Sequence, residues 1–336
     1  AASDVYKRQG QTCSIPLLPR GSFLSQWVRI STNKQPLLAG RYASGKTRRL
    51  VNYVDEFLPL RHFYTKLLFI MTAQWDTVAI VGVGLIGGSA GLALAKRGAA
   101  NKIIGIGRSD ASLTIAQNCG AISEGTTNLK QGVAEADFVL VATRVGVIGS
   151  QLEEIDSYVR PGTLITDAGS TKQSIVDGWE QKRAARKARF VGSHPLAGSH
   201  RRGAQAADHD LFENKLAVLT PVESTPDADT ESISSFWQLI GAKACILSPL
   251  DHDLLLASAS HAPHIIAAAL ATATPPETHR FTAGGWRDTT RIAAGDPELW
   301  ADILLDNAKA VTKQIEKISQ ASGQLQHAIE AGDRLT

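Results

Sequence analysis

Between Val78 and Ser89 an apolar, β-branched run enters a glycine turn and leaves as a small-residue helix pattern. Gly82, Gly84 and Gly87 stand at the G-x-G-x-x-G spacing. Each glycine has a physical reason: Gly82 permits the tight turn, Gly84 lets backbone approach a diphosphate, and Gly87 lets the helix pack on the strand. The unpaired N–H groups of the first helical turn and the positive end of the helix dipole attract phosphate. Gly82, Gly84, Leu85, Ile86 and Gly87 are therefore candidate dinucleotide-binding residues. A bare glycine turn with no ligand is the weaker reading, because the motif sits between a strand and a helix.

From Thr77 to Leu247 short apolar strands alternate with helix patterns. Strands are expected at Thr77–Val81, Lys102–Ile106, Phe138–Ala142, Thr163–Thr166, Arg189–Val191, Leu216–Thr220 and Ala244–Leu247, with helices at Leu85–Arg97 and Asp229–Ile240. That pattern implies a mostly parallel sheet covered on both faces. After Leu247 strand signals vanish. Ser248, Pro249 and Asp251 form a helix start, and helices follow to about Thr272 and from about Asp296 to Ala321. The fold class is α/β, a Rossmann-type domain over 71–248 followed by an all-helical domain over 249–330. The stretch Leu254–Ala273 is apolar nearly all round, which predicts burial, and a domain this small suggests a subunit interface. Past Ile318 only a short polar tail remains.

The net charge of +3 is misleading, because residues 1–70 hold 11 of the 35 Lys and Arg but 3 of the 32 acids, leaving the rest net acidic. Basicity confined to a head without a recognition motif argues against nucleic acid as a partner. That head lacks helix or strand periodicity, and its opening Ala1 to Gln9 resembles a translated sequencing-adapter peptide. Met71, the only methionine, reads as the natural start; an Arg-rich targeting presequence is the alternative. The head is expected not to pack on the body. Cys13, Cys119 and Cys245 stand far apart, which points to a reducing, cytoplasmic setting. No uninterrupted apolar run reaches membrane-spanning length.

The second strand ends in Gly107, Arg108 and Ser109. An acid that bonds a ribose 2′-hydroxyl is the usual mark of NAD sites. Here a cation and a hydroxyl replace it, which suits a 2′-phosphate. NADP is favoured; NAD remains open if Arg108 only stacks on adenine. Thr143, just past the Phe138–Ala142 strand, is a further cofactor candidate.

Four clusters lie downstream: Asp167 to Lys172 (DAGSTK), Gly192 to Ser199 (GSHPLAGS), Ser260 to His264 (SHAPH), and Gly284 to Ala293 (GGWRDTTRIA) ahead of Asp296-Pro297. In this order, behind the glycine turn, they resemble the prephenate and arogenate dehydrogenases of tyrosine biosynthesis, over about Thr77 to Ile318. The resemblance implies oxidative decarboxylation of a hydroxycyclohexadienyl acid, with hydride passing from ring C4 to the nicotinamide and CO2 leaving C1. It implies that His194 accepts the 4-hydroxyl proton and that Ser170 bonds this histidine. A helix N-cap is the structural alternative for Ser170. It implies that Arg291 grips a substrate carboxylate and that His264 touches substrate; Arg287, four residues before Arg291 and on the same face if the stretch is helical, is a candidate second clamp or else a surface ion pair with Asp288 or a neighbouring helix. His261 shares the helix face of His264. A metal bound with His252 or Asp253 is the competing idea, but no third ligand stands at motif spacing, so no metal is expected. His200, Arg201 and Arg202 stand where related enzymes carry an acid; a cationic mouth favours prephenate over the amine of arogenate. The rival classes are a β-hydroxyacid dehydrogenase, which would use a catalytic lysine, and a non-catalytic dinucleotide sensor. A homodimer through the C-terminal helices is expected.

Overall fold

A computed structural model describes residues 74–198 and 201–334. The head, Met71, Cys13, Ser199 and His200 lie outside the described residues, and so does the expectation that the head stays off the body. The described residues up to Ala321 form one compact unit that holds the sheet and the site.

The chain begins with β1 (Trp75–Val81), α1 (Leu85–Arg97) and β2 (Ala100–Ile106), then α2 (Asp110–Asn118) and β3 (Glu124–Thr126). Next come α3 (Leu129–Val133), β4 (Phe138–Val141), α4 (Val145–Tyr158), β5 (Leu164–Asp167) and α5 (Gln173–Glu180). The sheet is completed by β6 (Arg189–Pro195), β7 (Leu216–Thr220), α6 (Asp227–Leu239) and β8 (Lys243–Ile246). Eight strands lie in the order β3-β2-β1-β4-β5-β6-β7-β8, all parallel except the β6–β7 pair. This is the expected doubly covered sheet.

The side-chain period of two explains the unbroken apolar runs. Val78, Ile80, Phe138 and Leu140 enter one core with Leu94, Phe236 and Trp237. Their neighbours Ala79, Val81, Val139 and Val141 enter the other, with Ile148, Leu152 and Trp179.

The C-terminal part is all helical: α7 (Pro249–Leu256), a π turn (Ala257–His261), α8 (Ala262–Ala273), α9 (Gly284–Thr290), α10 (Pro297–Asp306) and α11 (Ala308–Glu330), with 3-10 turns between. The cap at Ser248 forms as expected, its hydroxyl accepting from Asp251 N at 3.0 Å. One expectation is corrected. The continuous stretch Pro249–Ala273 is not buried all round, and Leu250, Leu254, Leu255, Ile266 and Leu270 face out. An 18-residue window within it has a mean hydropathy of 1.5, so by length and composition alone the helix could cross a membrane. The same stretch buries His252, Asp253, His261 and His264, so one face is tied to the site.

Candidate active site

The glycine turn has the predicted geometry. Gly82 takes φ +96°, and a Cβ there would lie 2.7 Å from Ala142 O and 2.9 Å from Thr143 Cγ2. A Cβ on Gly87 would lie 2.1 Å from Gly82 O, whereas Gly84 has nothing within 4 Å. Gly84 is also the N-cap of α1, with no side chain capping the helix. Open space before uncapped amides is what a dinucleotide diphosphate requires, so these residues fit the cofactor. Leu85 and Ile86 are half-buried in the first turn. Thr143 bonds Gln151 at 2.5 Å. At the end of β2 Arg108 is exposed, while Ser109 caps α2.

His194 lies inside β6, not after it. The strand runs parallel to β5 through Val191 and then pairs antiparallel with β7 from Gly192 to Pro195. The second pairing carries the strand past the point where the apolar run ends, and sets His194 opposite Val218. Beside it Ser193 is fully buried: it accepts from Trp237 Nε1 at 2.9 Å and donates to Asp167 O at 2.6 Å.

The DAGSTK segment is a support under this strand. Asp167 accepts from Ser193 N at 3.0 Å and from Gly169 N at 2.8 Å, and it pairs with Lys172. Both members of that ion pair are fully buried. Burial lowers the Lys172 pKa against the attraction of Asp167. Ser170 makes neither expected contact among the described residues. His194 Nδ1 instead meets His252 Nε2 at 2.9 Å, and α5 is capped by Asp253, which accepts from Lys172 N at 2.8 Å and Gln173 N at 3.0 Å.

The helical part supplies the rest. Pro263 has no N–H and crowds the turn before it, and a π turn at Ala257–His261 immediately precedes it. His261 closes this wider turn, and His264 stands in the first turn of α8. His261 turns inward, where Asn307 Nδ2 donates to its Nδ1 at 3.2 Å and to Asp253 O at 2.8 Å. Burial lowers the His261 pKa to about 4. His264 stacks flat on Trp300, with centroids 3.6 Å apart and planes within 9°. Its Nδ1 is buried without a partner among the described residues. Gly295 is required here, because a Cβ would lie 2.4 Å from Trp300 Nε1. Asp306, at the end of α10, accepts from Thr171 at 2.5 Å and Ser174 at 2.7 Å, tying the helical part to the DAGSTK segment.

Arg287 is on α9 and Arg291 opens the 3-10 turn that follows. Both are exposed, and neither forms an ion pair among the described residues, so the Asp288 pairing is not made. Arg202 is committed, meeting Asp296 at 2.9 Å, which tempers the expected cationic mouth.

His194 itself is strongly perturbed. Burial holds its pKa well below the ordinary imidazole value, and His252, Lys172 and His261 push the same way. Sequence reasoning missed the hydrogen-bonding role of His252, Asp253 and Asn307. Only the DHD run at Asp251–Asp253 offered a signal, and it was weighed for metal.

A dinucleotide turn, a neutral imidazole at the carboxyl end of the sheet and a helical cover define a nicotinamide-dependent dehydrogenase of the two-part, Rossmann-plus-helical class. Residues 90–246 match the family model described as prephenate dehydrogenase, nucleotide-binding domain, and 248–335 match prephenate dehydrogenase, dimerization domain. The chain belongs to the prephenate dehydrogenase family. It is 38% identical to the prephenate dehydrogenase of Bacillus subtilis over 270 residues, covering 78% of this chain and 72% of that one. It is 32% identical to the cyclohexadienyl dehydrogenase of Zymomonas mobilis, covering 76% and 89%. Among solved structures, prephenate dehydrogenase from Aquifex aeolicus in complex with hydroxyphenyl propionate and NAD+ superposes with a TM-score of 0.71 at 32% identity, covering 77% and 93%. Synechocystis arogenate dehydrogenase gives 0.66 at 28%, covering 77% and 93%.

Proposed function

We propose that the chain oxidatively decarboxylates prephenate to 4-hydroxyphenylpyruvate, with His194 as the base that takes the 4-hydroxyl proton. The observation that carries this is the binding of His194 on one ring nitrogen only: Nδ1 is held by His252, and Nε2 has no partner among the described residues. A depressed pKa keeps the ring neutral and ready to accept a proton at working pH. When bound, the nicotinamide supplies the hydride acceptor. Arg291 and Arg287, exposed and unpaired among the described residues, supply guanidinium forks for the substrate's carboxylates. His264 offers a buried, unpartnered Nδ1 beside a flat Trp300 platform. Replacing His194 by Asn should lower kcat by about 10²–10⁴-fold, with dinucleotide affinity, read by fluorescence titration, held within a few-fold. Normal turnover would remove His194 from this role.

NADP is the proposed cofactor, supported by exposed Arg108 and by the absence of an acid at the end of β2. NAD is the second reading, supported by the NAD+ complex of the Aquifex aeolicus relative. Prephenate as substrate is supported by the names of the Bacillus subtilis and Lactococcus lactis relatives, and arogenate by the Synechocystis neighbour. A two-by-two kinetic comparison, prephenate or arogenate with NAD or NADP, is expected to give the highest kcat/KM for prephenate with NADP. Arg108→Ala should narrow the cofactor ratio. A tenfold preference for NAD in the unaltered protein would reverse the cofactor assignment.

The assembly proposed is a homodimer through the C-terminal helices, supported by the outward apolar residues of α7 and α8. Free Cys119 and Cys245 support a reducing, cytoplasmic setting.

A further inference from the structure

Asp253 is held as a carboxylate. Burial opposes its ionisation, but hydrogen bonds from His252 and from the Gln173 and Lys172 amides outweigh that and keep its pKa below the usual value. Its Oδ1 lies 2.7 Å from His252 Nδ1. A carboxylate only accepts, so His252 carries its proton on Nδ1 and presents a lone pair at Nε2. That lone pair faces His194 Nδ1 at 2.9 Å. Two lone pairs at that distance would repel, so His194 is the Nδ1–H tautomer and its own lone pair is on Nε2. Three side chains from two elements thus stand in one donor-to-acceptor line ending at the base.

The charges around this line decide what it does. His194 is faced by His252 from α7, by His261 from the π turn and by Lys172 from the segment before α5. Lys172 is paired with Asp167, and Asp253 is the carboxylate in direct contact with His252. A positive charge left on His194 has no anion in contact among the described residues. The same charge on His252 has one at 2.7 Å.

We propose that His252 and Asp253 form a proton relay behind His194. As the substrate hydroxyl gives its proton to His194 Nε2, the Nδ1 proton of His194 passes to His252 Nε2, and the positive charge comes to rest against Asp253. Once C4 has been oxidised, loss of CO2 sends the C1–carboxyl bond pair into the ring and makes the C4 oxygen a phenolate. The two protons then step back, and His194 Nε2 returns one to that oxygen. The relay holds a proton through the two bond-breaking events, and none is gained or lost overall. His252 is a positioning residue that acts through His194, and the inference rests on His194 being the base.

His252→Gln separates relay from orientation. Its amide N–H can still meet Asp253 and its carbonyl can still accept from His194 Nδ1, but it cannot take a proton. The expected result is a ~10- to 100-fold fall in kcat with KM for prephenate within about threefold. The acid limb of kcat/KM should also move from its position in the parent, because His194 is then the one ring of the pair that can hold a proton. His252→Leu should lose at least as much. If His252→Gln keeps kcat within twofold and leaves the limb unmoved while His194→Asn is inactive, the relay is overturned and the base assignment stands. If His194→Asn turns over normally, the base assignment itself fails. Nitrogen-15 spectra of the unaltered protein give an answer that needs no variant to fold: both rings are expected as Nδ1–H tautomers, and an Nε2–H form of His252 would end the proposal.

Discussion

Gly84 and Gly87 are three positions apart and answer to different constraints. The space beside Gly84 is empty, while a Cβ on Gly87 would meet the Gly82 carbonyl at 2.1 Å and Ile80 Cγ2 at 2.9 Å. Gly84→Ala should therefore fold with a Tm close to that of the parent yet bind dinucleotide at least tenfold more weakly, because its methyl fills the diphosphate approach. Gly87→Ala should lose stability by ~1–3 kcal/mol through overpacking; thermal melts beside fluorescence titrations would show the two losses in different columns. The buried histidines carry a second residue-scale consequence. The unfolded imidazole takes a proton near its ordinary value, whereas folded His261 resists until about pH 4, and His194 is shifted in the same direction. Over that window the unfolded state binds more protons, so stability must fall as pH drops from ~6.5 toward 4. A pH series of Tm values should show this decline in the parent and a shallower one in His261→Gln. A flat profile would mean that these rings are not neutral in the fold.

Among elements, how far the sequence could be read depended on whether a signal was local. Helix Leu85–Arg97 and strand Leu216–Thr220 have their expected bounds, because glycine chemistry and apolar alternation are written in the neighbouring residues. The end of β6 is not local. Nothing in Gly192 to Pro195 marks a strand until β7 arrives 20-odd residues later to pair with it, and this pairing places His194. The helix at Asp296–Ala321 is likewise two helices, broken at Asn307, a residue kept there by bonds to Asp253 and His261 that no spacing rule reveals. Asp167, Lys172 and His194 were visible as motif members. The buried ion pair under a strand joins residues 5 and 26 apart, while His252, not Ser170, against the imidazole comes from packing between segments about 60 to 80 residues apart. The π turn Ala257–His261 left no mark in the sequence beyond a proline two residues after it, yet it interrupts the helix at one of the site histidines.

At the scale of the whole molecule, the apolar stretch Pro249–Ala273 poses the physical problem that the fold of one chain leaves open. One face carries His252, Asp253, His261 and His264 inward, and the other presents Leu250, Leu254, Leu255, Ile266 and Leu270 to solvent. Leu250 and Leu254 are one turn apart, as are Ile266 and Leu270, so each pair forms a ridge on its helix. Ridges of this kind pack against ridges of a second helix, and an exposed contiguous apolar patch marks an interface. A two-fold arrangement uses the same patch twice, so one substitution acts at two places. Leu254→Lys should convert a dimer into a monomer at micromolar concentration by analytical ultracentrifugation. Leu254 is 45% exposed in the single chain, so the lysine head can reach water in the monomer and the fold should survive. The monomer should still bind dinucleotide, because the glycine turn lies on α1 and β1, far in sequence from the substitution. Its turnover should fall further than its cofactor affinity, since α7 also carries His252 and Asp253 to the base. A Leu254→Lys protein that sediments as the parent does would place the interface on another face.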